Sequence, residues 1–281
     1  MHQDFTVTEK NGIQFISIQN DNCKAEVCLF GGHVTEWQPE GHAPVLWMSE
    51  TSALDGSAAI RGGIPVCWPW FGPVENKGRH GLVRTMNWTL EDAKEESDLT
   101  VLKLSCDIGK DKALAWSHPQ IIEQTLIFGS RLTQTCKVVN PFNAPVNFAY
   151  ALHNYFQIGS LNHLSVPELT GQPYYCKIND LENQCDTTEP DYNGPIDRVY
   201  QCDGPASITD SIMQRRISVT KHGSANWVLW NPGTMAADID DIHTDGEKSY
   251  LCLEAASTSD IEVAANSSME FGQTIAVTAL D

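Results

Sequence analysis

Apolar and polar positions along this chain recur with a period of two. "IQFISIQ" (13–19) and "CKAEVCLF" (23–30) alternate, which puts every second side chain on one face of an extended strand. "LTVLKLSCDI" (99–108) alternates through Leu99 and Val101 and then shifts through Leu102 and Leu104. "IIEQTLIFGSRLTQTCKVVN" (121–140) reads as a hairpin turning at Gly129-Ser130. Further strands are predicted over 146–156, 215–223, 227–233, 250–256 and 269–280, all rich in β-branched and aromatic residues. Turn residues punctuate them at Asn11-Gly12, Gly31-Gly32, Asn140-Pro141, Asn193-Gly194 and Asn231-Pro232-Gly233. No long amphipathic helix interrupts the series, although "MAADIDDIHTDGE" (235–247) has room for a turn or two. The Pro-rich stretch 160–205 reads as long loops across one face. Many short strands with turn punctuation predict an all-β sandwich or barrel. No linker divides the chain, so a single domain over residues 1–281 is expected.

Composition narrows the partners. A formal charge of −18 repels nucleic acid and anionic membranes. No stretch approaches the roughly 18 apolar residues of a membrane span. "MHQDFTVTEK" lacks the basic and apolar regions of a signal peptide, so a cytoplasmic protein is expected. Nine cysteines, an odd number at scattered spacings without a C-x-x-C pair, fit reduced thiols and neither a zinc site nor a disulfide framework. No P-loop, dinucleotide fingerprint, H-E-x-x-H or G-x-S-x-G occurs. The acidic run 235–247 lacks the order of a calcium loop and reads as a solvated loop, with no metal.

Three places carry candidate chemistry. In "SYLCLEAAS" alternation places Tyr250, Cys252 and Glu254 on one face and Leu251, Leu253 and Ala255 on the other. Glu254 is then either a surface acid or a carboxylate in a cleft, where desolvation makes it a better base. In "VNFAYALHNYFQIG" the face of Val146, Phe148, Tyr150 and Leu152 is core-like. The opposite face carries Asn147, Ala149, Ala151, His153 and Tyr155, and its alanines leave room for a ligand beside His153. The segment 61–84 sets four cations, Arg61, Lys77, Arg79 and Arg84, against one acid, Glu75, with His80 among them. Such a local excess in an acidic chain suggests an anion site, and the guanidinium fork suits phosphate; pairing with the plentiful carboxylates is the alternative.

Six motifs in order, "IRGGIPVCWPWFG" (60–72), "RHGLVRTMNW" (79–88), "ALHNYFQIG" (151–159), "PIDRVY" (195–200), "WNPG" (230–233) and "CLEAA" (252–256), resemble the glucose-6-phosphate 1-epimerase family. The resemblance implies a galactose mutarotase-like β-supersandwich with one carbohydrate cleft. It implies that His153 and Glu254 are the acid–base pair, that Arg61 and Arg84 hold a 6-phosphate, and that Asp197 bonds sugar hydroxyls. His80 is placed among the substrate-binding residues. Arg79 stands where the resemblance leads one to expect glutamine, leaving open an extra phosphate contact or the replacement of a neutral donor to the sugar. The implied partner is a hexose 6-phosphate substrate, a monomer is expected, and no cofactor is expected because ring opening and closure need only proton transfer. A neutral-sugar aldose 1-epimerase and a catalytically silent carbohydrate-binding module are the competing readings. The local positive charge disfavours the first, and the presence of both His153 and Glu254 disfavours the second.

Overall fold

A computed structural model describes residues 4–110 and 121–280. Nearly every element is an antiparallel strand, as the period of two requires. Phe5–Lys10, Ile13–Asn20, Cys23–Cys28 and His33–Pro39 form a four-stranded meander. Two larger sheets pack over a common core. The back sheet runs Leu164–Ser165, Ala206–Asp210, Arg215–His222, Ser267–Ala279, Arg131–Asn140, Ile121–Phe128, Leu99–Asp107 and Thr89–Glu96. The front sheet runs Leu181–Gln184, Tyr174–Cys176, Ile196–Gln201, Asn226–Asn231, Tyr250–Val263, Val146–Leu152 and Val66–Cys67, with Tyr155–Gln157 also paired to Tyr250–Val263.

Between the sheets, Leu102, Leu126 and Phe271 of the back meet Phe148, Leu251 and Leu253 of the front in one apolar cluster. The Tyr150 and Phe271 rings stack across the gap at 3.6 Å. This is the sandwich that the alternation predicts. Among the described residues no helix is long and apolar enough to cross a membrane. All nine cysteines are free thiols.

The hairpin turns at Gly129-Ser130 as expected, with Phe128 opposite Leu132. Several expectations are corrected. Leu99–Asp107 holds one register throughout: Thr100, Leu102, Leu104 and Cys106 face inward, and Leu99 is exposed. The predicted strand 146–156 breaks at His153-Asn154. The stretch 160–205 holds four short strands as well as loops, and three of them form the margin of the front sheet. Thr89–Glu96, "TLEDAKEE", is a strand missed by its pattern because it is an edge, where charge is tolerated and discourages further pairing. The helical turns near 235–247 are two short 3₁₀ segments, Gly233–Asp238 and Gly246–Ser249.

The Gly-Gly pair of "RGGIP" has a steric cause. Gly62 and Gly63 have φ of 114° and 59°, a region that L side chains rarely adopt. A Cβ at Gly62 would stand 2.4 Å from the Trp47 carbonyl oxygen, and one at Gly63 would stand 2.3 Å from that of Val34. The tight passage lets Gly63 N–H donate to Trp47 O and Gly63 O accept from Tyr155 N–H. The fully buried His33 seals it, donating from Nε2 to Gly62 O at 2.7 Å.

Burial, helped by Arg84 and opposed by the Gly62 bond, lowers the His33 pKa to about 4. An unfolded chain would take that proton near pH 6.5. Between these values only the unfolded state binds it, so stability falls as pH drops from about 6.5 to about 4 and then levels off. Two and a half pH units correspond to about 3 kcal/mol. Urea unfolding should therefore show the wild type losing about that much more stability than His33→Gln between pH 7.5 and 4. Equal losses in the two proteins would contradict this assignment.

Candidate active site

The front sheet turns a patch of small side chains away from the core. Cys67, Ala151, Val199, Val228 and Ala256 form an apolar floor, with Phe71 and Tyr175 at its margin. His153 and Glu254 lie at this floor on neighbouring chain segments. The register pairs Ala151 with Ala256 and Tyr155 with Cys252, so the break at His153-Asn154 sits beside Leu253-Glu254. His153 Nε2 stands 3.3 Å from Glu254 Oε1, and both side chains are at least nine-tenths buried. Glu254 is thus a cleft carboxylate, the chemically interesting branch of the two readings.

Electrostatics keeps both groups from charging easily. Burial depresses the His153 pKa well below its usual value, and the neighbouring His80, Arg61 and Arg84 push the same way. Burial raises Glu254 well above the usual carboxylate range; Asp197 adds to this and Lys177 opposes it. The pair therefore favours holding a single proton between its two members. His153 Nδ1 and Glu254 Oε2 have no protein hydrogen-bond partner although buried. Buried polar atoms rarely stay unpaired, so the pair is suited to receive polar groups of a ligand.

The remaining candidates gather around this contact. His80, at φ 61°, accepts from Gly72 N–H through Nδ1 at 3.3 Å and sets its ring 5.8 Å from that of His153, edge to face. Burial and then Arg84, Arg79, Lys177 and Arg61 lower its pKa to about 3, so it is a neutral ring at pH 7. Arg61 donates from Nη1 to the Tyr155 hydroxyl at 2.8 Å and from Nε to Asp241 at 3.0 Å. Arg84 donates from Nη2 to the Arg79 carbonyl at 2.9 Å. Among the described residues no carboxylate pairs with Arg79 or Arg84. Asp197 is half-buried, its pKa raised by burial against the pull of Lys177 and Arg79.

Two participants escaped the sequence reading. Asp241 belongs to the run taken as a solvated loop; instead it neutralises Arg61, Ile242 beside it is buried, and His243 stacks on Trp47. A cation set among apolar residues needs a carboxylate, and that was the available signal. Lys177 carried none. Its Nζ lies 3.8 Å from Asp197 and 4.4 Å from the centre of the Phe71 ring, placed there because Lys177 N–H donates to Asp197 O. Of the aromatic residues in the opening motif, Trp68 is wholly in the core, whereas Phe71 borders the cleft.

The site thus sets a buried His–Glu contact above a floor of small residues on a β-sandwich, with cations and aromatic rings around it. The chain belongs to the aldose 1-epimerase family, whose sequence profile matches residues 14–276. An Escherichia coli (strain K12) protein with the provisional name glucose-6-phosphate 1-epimerase is 33% identical over 258 residues, covering 89% of this chain and 85% of that protein. A crystal structure from Salmonella typhimurium, provisionally described as a mutarotase, superposes with a TM-score of 0.91 at 26% identity, covering 99% of this chain and 96% of the other. A galactose mutarotase-like protein from Clostridium acetobutylicum shares the fold, with a TM-score of 0.78 at 16% identity and coverage of 99% and 100%.

Lys177 is the cation that opposes protonation of Glu254. Its removal should move the titration of the His153–Glu254 pair to higher pH. NMR titration of the His153 ring should show this shift in Lys177→Met, with Lys177→Arg close to wild type. A Lys177→Met curve that overlays the wild type would remove Lys177 from the electrostatics of the site.

Proposed function

We propose that this protein interconverts the α and β anomers of hexose 6-phosphates. The observation that carries the reading is the buried contact of His153 with Glu254 beside a floor of small side chains. Opening a cyclic hemiacetal requires that O1 lose a proton and the ring oxygen gain one. Glu254, ionised, takes the first, and His153, protonated, supplies the second. Rotation about C1–C2 presents the other face of the carbonyl. His153 then recovers a proton from the C5 hydroxyl as that oxygen attacks C1, and Glu254 returns one to O1. The pair carries one proton at the start, one in the open-chain state and one at the end. Burial favours this single-proton count, and the neutral pair of the open-chain state is its favoured distribution.

The phosphate reading rests on charge that remains uncompensated. Asp241 cancels much of the charge of Arg61, leaving Arg84 and Arg79 as cations of this segment that have no carboxylate partner among the described residues. A dianion beside them would also offset the fields that hold His153 neutral, favouring the imidazolium that the ring oxygen needs. Asp197 and the neutral His80 supply hydrogen-bonding groups for sugar hydroxyls, and the rings of Phe71 and of Trp230, which lies 5.9 Å from that of His153, suit sugar C–H groups. The positive segment favours a phosphosugar over a neutral sugar, and the paired catalytic groups favour an enzyme over a silent binding module.

Glu254→Gln and His153→Asn should fold and lose about 10²- to 10⁴-fold in turnover, the usual contribution of general acid–base catalysis. Near-normal turnover in either would remove that residue from the mechanism. Arg84→Ala should raise KM for glucose 6-phosphate by about 10- to 150-fold, the worth of one hydrogen bond to a charged group, and leave a neutral hexose unaffected. Arg61→Ala should also weaken phosphosugar binding, with an added loss in kcat because Tyr155 beside His153 loses its partner. Arg79→Gln separates a phosphate contact, which raises KM for the phosphosugar, from a residue that only borders the cleft. If neither Arg61→Ala nor Arg84→Ala selectively weakens the phosphorylated substrate, the phosphate assignment fails.

A further inference from the structure

Behind the catalytic pair, a row of buried amides crosses the core. Gln124 donates from Nε2 to Gly32 O at 2.8 Å, and Gln134 donates to Gln124 Oε1 at 2.7 Å. Gln273 donates to Gln134 Oε1 at 3.0 Å and to Asn154 Oδ1 at 2.6 Å. Asn154 answers with two donations from Nδ2, to Gln273 Oε1 at 2.8 Å and to Leu253 O at 2.8 Å. All four side chains are essentially inaccessible to solvent. Three of them come from the back sheet, where Gln134 and Gln273 are direct register partners. The fourth crosses to the front sheet at the break in the strand.

An amide in an apolar core is costly when unpaired and rigid when fully bonded. Here the bonding is complete where it reaches the front sheet, since both hydrogens of Asn154 and both of Gln273 are used. The sheet's alternation fixes what this means. Asn154 points inward between His153 and Tyr155, which face the cleft side, and Leu253 points inward just before Glu254. The Asn154–Leu253 bond therefore joins the backbone that carries the acid–base histidine to the backbone that carries the carboxylate. Its partner in the reciprocal amide pair is anchored in the other sheet.

We propose that Asn154, held by Gln273 and through it by Gln134 and Gln124, is a positioning residue that fixes the approach of His153 to Glu254. The proposal rests on the acid–base reading above, and it concerns residues that touch no substrate. Catalytic geometry is sensitive to displacements below an ångström, and such a network supplies a rigid reference in the back sheet for a pair set at a break in a front-sheet strand.

The test uses Asn154→Leu, Gln273→Met and the double variant, compared with wild type in three readouts: kcat and KM for glucose 6-phosphate, the ring titration of His153 by NMR, and melting temperature. Each single variant should lose about 10- to 100-fold in kcat, with KM within about twofold, and should shift the His153 titration. The double variant should be no slower than Asn154→Leu alone, because both changes break one reciprocal pair, even though removing both partners recovers melting temperature. If Asn154→Leu does not fold, Gln134→Met takes its place, with a smaller kcat loss than Gln273→Met because it lies one link further away. An unmoved His153 titration in the folded variants overturns the proposal. A kcat that recovers with melting temperature in the double variant does so too. Absence of anomer exchange by the wild type would instead refute the function, leaving the titration to judge the network.

Discussion

The structure depends on a short contact between two groups that each resist charge. His153 and Glu254 meet at 3.3 Å in a place with little water, and neither is stable there as an isolated ion. Burial makes the pair hold one proton jointly, which is the inventory that opening and closing a hemiacetal demands. Small side chains lie beneath it, and the surrounding cations disfavour a charge on His153 and favour one on Glu254. On the proposed function, a bound phosphate would change that balance and so link binding to catalysis through charge.

The scaffold brings long-range elements together to hold this contact. The Arg-Gly-Gly turn threads between Trp47 and Val34 with no room for a Cβ, and from it Arg61 reaches the hydroxyl of Tyr155. The Tyr155 ring lies stacked 4.7 Å from that of His153. From the opposite side the amide row bonds to the backbone beside both His153 and Glu254. The cleft face and the core face of one strand break thus carry different duties, divided by the alternation of an extended chain.

Much of this was legible in residues of alternating type. The faces of Tyr250, Cys252 and Glu254 and of Leu251, Leu253 and Ala255 are as the sequence implies, and Ala151 lies in the floor on the side of the sheet that carries His153. The Gly-Gly pair signalled a tight backbone without saying what it passed. Other features depend on registers that local pattern does not encode. Lys177 looks like any surface lysine until the backbone of Asp197 is laid beside it. Asp241 was hidden in an acidic run whose other aspartates are exposed. Gln124, Gln134 and Gln273 did leave a trace, because each interrupts the inward face of an alternating strand with an amide. A polar residue on a core face is a question that the strand pattern poses and only the opposite sheet answers.

The central claim is that this cleft moves protons on a phosphorylated hexose. Freshly dissolved α-glucose 6-phosphate and α-galactose, each followed by polarimetry with and without the wild-type protein, test it most directly. The account predicts rapid approach to anomeric equilibrium for the 6-phosphate and far less acceleration for galactose. Equal acceleration of both sugars, or no acceleration of the 6-phosphate, would contradict it.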